Sequence, residues 1–530
     1  MYLIPQHASN TRQSRIRRVK CDESKPFCTR CTSTGRQCEG YAPAVAVTSK
    51  PVRRGLVPLL PSPAAIDPKK GPKDTCPISI MPNPSVDLGG SYSERRSFHY
   101  FRTRHMSDSP GNFEPYFWES IVLQFSHRYP TVKQSLIALS AIYEEYERNA
   151  TSENPGVVQY SDVTIQQYNR AVRELVKYLA AGEQNATVAL ISCLIFVWIE
   201  FLQGDLKTGI RHLESGLKIL SSHTSSHPTR LLQDTSDINA SLDRSFSRLQ
   251  IQAEIHGGMP ADFRTLARTN PENSPPIPTS FANIFEAREW MDSELTAGIK
   301  FLHGLQNLSG DVEVDFRTVE ATRLWHLQRF KEWSEATERM TAESVPLEGH
   351  PYSSGALYLQ LYYTCEVIIF NTVTRTSEME YDNHLPDFER LCSISERIIK
   401  SARSSTQMLS FDMCIIPPLF FLVLKCRDIR LRRRAIALLE QAPYQEGMWR
   451  RDNILTWCKW KMETEERGRG DVPETEPLPE SARISSTGQY LGDPGAVGEG
   501  NDKQQYRVSW NTSVEWYSRA VLFMKEADSF

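Results

Sequence analysis

Cys21, Cys28, Cys31 and Cys38 are spaced by six, two and six residues inside RIRRVKCDESKPFCTRCTSTGRQCEGY, residues 15–41. Four thiolates make a tetrahedral donor set for zinc, and two cysteines two residues apart can hold one ion from a single turn. A six-residue gap needs a loop. DESKPF supplies one around Pro26, and Gly35 falls where a short helix after Cys31 would end. Basic residues crowd these thiols: Arg12, Arg15, Arg17, Arg18, Lys20, Lys25, Arg30 and Arg36 face only Asp22, Glu23 and Glu39. The whole chain has a formal net charge of −3, so affinity for a polyanion must come from this local patch.

The opening MYLIPQHASNTRQSR has no apolar core of signal-peptide length, so export is not expected. Closely spaced cysteines then read as metal ligands before disulfides. The cysteines at 76, 193, 365, 392, 414, 426 and 458 are scattered, several in apolar runs, and read as lone buried thiols. The run VALISCLIFVWIEFL, residues 188–202, is shorter than the roughly 20 apolar residues a spanning helix needs, and Glu200 interrupts it. It reads as a core helix, and no membrane partner is expected. The sequence holds no nucleophile elbow, phosphate loop, dinucleotide fingerprint or metal-hydrolase motif, so the chain is not expected to be an enzyme.

The elements that would carry the cysteine module follow from composition. Residues 42–93 hold prolines at 43, 51, 58, 61, 63, 68, 72, 77, 82 and 84, which exclude a continuous helix and predict a disordered linker. They also exclude a coiled coil directly after the cysteines, which needs unbroken heptads. From 94 to 465 the helical period dominates. Apolar residues fall at Val132, Leu136, Leu139, Tyr143 and Tyr146, again at Ile165, Tyr168, Val172, Leu175 and Leu179, and again at Leu206, Ile210, Leu213, Leu217 and Leu220. Such stripes bury one face against neighbouring helices, which predicts an all-α domain. Gly204 and Asp205 break 187–202 from 205–221 and suggest a helical hairpin. Polar interruptions at 221–243 and 270–279 read as loops. Residues 466–505 lack apolar periodicity and are expected to be disordered, and 506–530 are expected to form a last amphipathic helix that docks on the domain.

Lesser candidates read more plainly. Arg430, Arg432, Arg433 and Arg434 read as a solvated helix face or a partner contact. Phe113, Tyr116, Phe117 and Trp118 read as core packing. His212 has no partner at ligand spacing and reads as structural. Asp471, Glu474, Glu476 and Glu480 read as a solvated linker, with few apolar residues for an activation surface.

The run from Arg15 to Pro26, with Cys28, Cys31 and Cys38, closely resembles the fungal binuclear zinc cluster, Zn2Cys6. The segments ERRSFHYFRTRH from Glu94, FWESIVLQFSHRYPTVKQSLIALSAIYE, LISCLIFVWIEFLQGDLKTGIRHLESGLKIL and LKCRDIRLRRRAIALLEQAPYQEGMW resemble the regulatory domain that follows this cluster in many fungal transcription factors. The resemblance implies a nuclear regulator that binds promoter DNA. In it a basic helix enters the major groove at CGG-type half-sites. Arg17 and Arg18 would read bases, because the planar guanidinium can donate to both guanine O6 and N7. Arg15, Lys20 and Lys25 would neutralise phosphates. It implies zinc as cofactor, held by Cys21, Cys28, Cys31 and Cys38. It also implies a regulatory domain that contacts a second copy, other transcription factors or a small-molecule effector.

The family pattern has six cysteines around two ions, and its first two fall at the positions of Thr11 and Ser14. Three readings stay open. Residues 1–14 come from a mis-joined exon; or the four cysteines gather around a single zinc, with His7 assisting; or the module has decayed and no longer binds DNA specifically. The expected fold is therefore all-α. It has a small, incomplete zinc-cluster module at 1–41, the linker at 42–93, a large helical regulatory domain at 94–465, and the two tail segments. The expected function is a sequence-specific transcriptional regulator acting at RNA polymerase II promoters. The alternative is a regulator of the same descent that has lost DNA binding and acts through its helical domain.

Overall fold

The stripe Val132, Leu136, Leu139, Tyr143 and Tyr146 folds as its spacing predicts, on one helix with all five side chains buried. The structure, a computed structural model, describes residues 90–103, 113–150, 160–181, 185–226, 233–256, 274–307, 316–343, 351–375, 377–402 and 409–484. The chain divides into two units, Met1–Val57 and Pro58–Phe530, and the described residues all lie in the second.

Fourteen α-helices occur among the described residues, and the fold is all-α. They are α1 Tyr92–Thr103, α2 Val122–Arg128, α3 Pro130–Ala150, α4 Asp162–Ala180, α5 Ala186–Gln203, α6 Leu206–Ser226, α7 Gln233–Ile255 and α8 Ile284–Asn307. There follow α9 Phe316–Glu343, α10 Pro351–Thr372, α11 Leu385–Ala402, α12 Ile416–Lys425, α13 Ile429–Leu439 and α14 Arg451–Arg467. Three two-residue strands, β1 Leu409–Ser410, β2 Gln445–Glu446 and β3 Trp449–Arg450, form a small sheet in which β1 runs parallel and β3 antiparallel to β2.

The centre of the domain is α5, which is buried from Val188 to Leu202. By length and composition Ala186–Gln203 could cross a membrane, but the other helices enclose it as a core helix. Glu200 enters this apolar run buried, with the Tyr168 hydroxyl donating to it at 2.8 Å, and burial pushes its carboxyl up to about 7. The hairpin forms where expected. Gly204 ends α5 at φ 79°, and the Asp205 carboxylate accepts the Thr208 amide at 3.0 Å to start α6. The two helices approach closely at Gly216, where an added Cβ would overlap the Phe246 ring and stand 3.1 Å from Cys193 Sγ.

Several expectations are corrected. In α4 the buried residues are Thr164, Gln167, Ala171 and Leu175, whereas Ile165 and Val176 are exposed. The helix carries apolar residues on two adjacent faces, and small Ala171 with hydrogen-bonding Thr164 takes the inner one. The interval 221–243 is largely helical, since α6 continues to Ser226 and α7 begins at Gln233. Arg432 is not solvated: it is fully buried, while Arg430 and Arg433 stay exposed.

The chain beyond α14 also stays packed as far as Ile484. Leu478 and Arg483 are buried, Arg483 donates to the carbonyls of Leu478 at 2.9 Å and Glu378 at 2.8 Å, and Glu480 accepts the Ser377 hydroxyl and the Glu378 amide. These contacts are made by single side chains and backbone groups, so they leave no apolar period in the sequence. The zinc-cluster module, all but the end of the Pro-rich linker, residues 485–505 and the terminal helix expected at 506–530 lie outside the described residues.

Candidate functional site

All the site residues expected from the sequence, Cys21, Cys28, Cys31 and Cys38 with Arg15, Arg17, Arg18, Lys20 and Lys25, lie outside the described residues. Their chemistry still sets a limit. Two zinc ions sharing two bridging sulfurs require six thiolates. The hydroxyls of Thr11 and Ser14 are poor zinc ligands at neutral pH. The donor set does not fit a two-ion cluster. Its four thiolates are by count the complete set for one tetrahedral ion.

Within the helical unit, no group of three or more His, Cys, Asp or Glu side chains is gathered as a metal site among the described residues. Cys193, Cys365, Cys392, Cys414, Cys426 and Cys458 are buried free thiols, as read from their surroundings, and burial raises the pKa of each. Thiols so held are poor nucleophiles. His212 is buried against Phe196 with ring centroids 5.6 Å apart, and burial pushes it down to about 4, so it is neutral at physiological pH.

Two buried ionic networks tie the helices together. In the first, Arg244 and Arg248 from α7 meet Glu114, Arg248 and Arg288 share Asp292, and Arg288 reaches Asp412 at 3.1 Å. Arg288 also lies over the Phe113 ring at 4.8 Å. A cavity of about 50 Å³ adjoins this network, walled by Phe113, Trp118, Trp198, Phe411, Arg248 and Gln252. At roughly 10–15 Å³ of such volume per water it holds a few waters, far below the roughly 300 Å³ of a metabolite pocket. Phe113, Phe117 and Trp118 serve as core here, Trp118 stacking on Phe411 at 4.9 Å, whereas Tyr116 is exposed.

The second network joins α12, α13, α14 and the chain after α14. Glu378 holds Lys425 at 2.8 Å and Arg427 at 2.9 Å; Glu465 holds Arg427 at 3.2 Å, Arg432 at 2.6 Å and Lys461 at 3.5 Å. All six side chains are buried. Burial alone would raise both carboxyls, but the surrounding cations hold each down at about 2. Burial pushes Lys461 down to about 7. Sequence reading missed both networks, because Lys461 and Glu465, or Arg288 and Asp292, look like ordinary surface pairs at i,i+4. The arrangement fixes helix positions and offers no reacting group.

Residues 13–45 match the fungal Zn(2)-Cys(6) binuclear cluster domain, whose members bind zinc ions, and residues 97–307 match the fungal specific transcription factor domain. The two matches, a cysteine-cluster domain followed by the helical domain, support a fungal zinc-cluster transcription factor.

The chain is 29% identical over 210 residues to the aspercryptin biosynthesis cluster-specific transcription regulator atnN of Emericella nidulans, covering 39% of this chain and 33% of that protein. It is 32% identical over 219 residues to the transcription regulator lscL of Purpureocillium lilacinum, covering 40% of this chain and 48% of that one. Over 32 residues it is 62% identical to the transcriptional regulatory protein moc3 of Schizosaccharomyces pombe, 6% of each chain. The chain thus spans between a third and a half of the length of the two longer-matching curated relatives. No solved structure matches it.

Proposed function

We propose that this chain is a nuclear, DNA-binding transcriptional regulator whose cysteine module reads G-rich half-sites through Arg17 and Arg18. The observation that carries this reading is the cluster-domain match over 13–45, in which the basic run and four cysteines at family spacing are retained. Arg15, Lys20 and Lys25 supply phosphate contacts, and Cys21, Cys28, Cys31 and Cys38 hold the metal. The Pro-rich segment tethers the module, and the helical unit carries contacts to a second copy, another factor or an effector. No catalytic role belongs to this reading.

One observation favours a second reading. Thr11 and Ser14 stand where the family has cysteines, which fits a regulator that has given up specific DNA binding. Selection of duplexes from a random-sequence pool by the full chain separates the two. Enrichment of G-rich half-sites supports the first reading; recovery of the unselected pool supports the second.

A further inference from the structure

Beyond α14 the chain crosses the second ionic network as a strap, residues 468–484, held more by polar groups than by apolar burial. Leu478 and Ile484 are its two buried apolar side chains. Arg469 shapes the strap from within, donating to the carbonyls of Pro473 at 3.1 Å and Glu476 at 2.9 Å. Glu480 anchors it to the Ser377 hydroxyl and the Glu378 amide, and Arg483 anchors it to Asp382 and the Glu378 carbonyl. Ile484 ties its end to α14 through Glu465 and Lys461. A segment with so little buried apolar surface can open locally at far less than the cost of unfolding the domain.

Lys461 lies directly under the end of that strap, and positive charge is in surplus there. Among the described residues the network gathers four cations, Lys425, Arg427, Arg432 and Lys461, around two carboxylates, Glu378 and Glu465. The nearby acids are engaged elsewhere: Glu466 is 4.0 Å from Arg432 but bonded to Arg469, and Asp382 is taken by Arg483. Surplus charge in a buried site is costly, and arginine cannot shed a proton to relieve it. Lys425 is firmly held, 2.8 Å from Glu378 and over the Tyr381 ring at 4.6 Å.

Lys461 is held less closely, 3.5 Å from Glu465. On its own helix it faces Glu465, the Cys458 thiol and the Trp457 ring. From the other elements it faces Lys425 at the end of α12, Arg427 beyond it, Glu378 of the turn Glu378–His384, and Arg432 of α13 across the shared Glu465. Burial pushes it down to about 7, with Glu465 and Glu378 opposing and Arg427 and Lys425 adding to the push. As a neutral amine it still donates to the Ile484 carbonyl at 2.9 Å, so the closed strap keeps that bond without the surplus charge.

We propose that the strap is a proton-linked clasp: closing it over Lys461 expels that lysine's proton to solvent, so the strap closes more firmly as pH rises above neutrality. Opening returns the amine to water, where it takes the proton back. Below about pH 7 both forms hold the proton and opening no longer follows pH; above it one proton separates them. The clasp belongs to the helical unit and does not depend on what the cysteine module reads.

Hydrogen exchange of the full chain between about pH 7 and about 9, corrected for intrinsic rates, tests the clasp. The strap amides of Ala482, Arg483 and Ile484 are all bonded in the closed form. Their protection should rise by about tenfold per pH unit and stay well below that of α5 throughout. The rise should vanish in Lys461→Met and in Lys461→Arg, neither of which can release a proton there, and should persist in Lys459→Met, which alters an exposed lysine of the same helix. A strap as protected as α5 at every pH would mean that it opens only with the whole domain, and a level parent strap would mean that no proton is linked to it. Either result overturns the inference whether or not the variants fold, as does a rise that persists in Lys461→Met.

Discussion

The amide of Ile484 donates to Glu465 Oε1 at 2.8 Å, while the Ile484 carbonyl accepts from Lys461 at 2.9 Å. The chain after α14 is thus closed onto the same carboxylate that holds Arg427 and Arg432. Removing that carboxylate leaves buried cations without their shared partner and frees the Ile484 amide. Glu465→Ala should therefore destabilise the domain by about 3–5 kcal/mol in urea unfolding. Glu474, exposed and paired with exposed Arg433, gives the contrast, since Glu474→Ala should stay within about 0.5 kcal/mol. Similar losses for both would mean that the buried network does not hold the fold together.

Stability should also follow pH in two windows. Glu378 and Glu465 are held at about 2 in the fold against an ordinary 4.5, so they favour the folded state above 4.5, and that contribution is lost as pH falls from 4.5 toward 2. Lys461 behaves oppositely in origin. Burial lowers it from 10.5 to about 7, so the folded state binds the proton less well than the unfolded chain, and stability rises between pH 7 and 10.5. Urea midpoints across pH should show both limbs. Lys461→Met should flatten the alkaline one and also shrink the acid one, because Lys461 is the leading cation that holds Glu465 low.

Two glycines predict opposite signs. Gly216→Ala drives a Cβ into the Phe246 ring and toward Cys193, which should cost about 1–3 kcal/mol and lower the melting temperature. Gly304 has nothing within 4 Å of the added carbon and sits inside α8, so Gly304→Ala should stabilise by roughly 0.5–1 kcal/mol. Thermal melts of the two variants decide this.

In the cysteine module, Arg18→Ala should reduce preference for G-rich half-sites far more than it reduces affinity for arbitrary duplex. A bidentate guanine contact carries about 1–3 kcal/mol of discrimination, whereas a phosphate contact carries none. Competition between G-rich and scrambled duplexes reads the difference. Equal loss on both would assign Arg18 to the backbone.

Much of the helical architecture was legible because burial repeats with the helix. Val132 to Tyr146 show it, and Gly204 marked the hairpin through its left-handed φ. The rotation of α4 was not legible, because Ile165, Val172 and Val176 compete with an inner face that carries polar Thr164 and Gln167, which apolar periodicity does not mark. Arg432 illustrates the same limit, since an arginine among arginines reads as solvated until Glu465 is brought to it from another helix. Of the candidate site, cysteine spacing and the basic run were legible from residues alone, because metal ligation and phosphate attraction are local chemistry.

In the proposed function, the four thiolates of the cysteine module hold the zinc with which it reads DNA. Withdrawing and restoring zinc while measuring the full chain's preference for a G-rich duplex over a scrambled one tests this most directly. The expected result is a preference that disappears on chelation, returns with zinc and is absent in Cys31→Ser. A preference that is missing with zinc present, or that survives chelation unchanged, would contradict it.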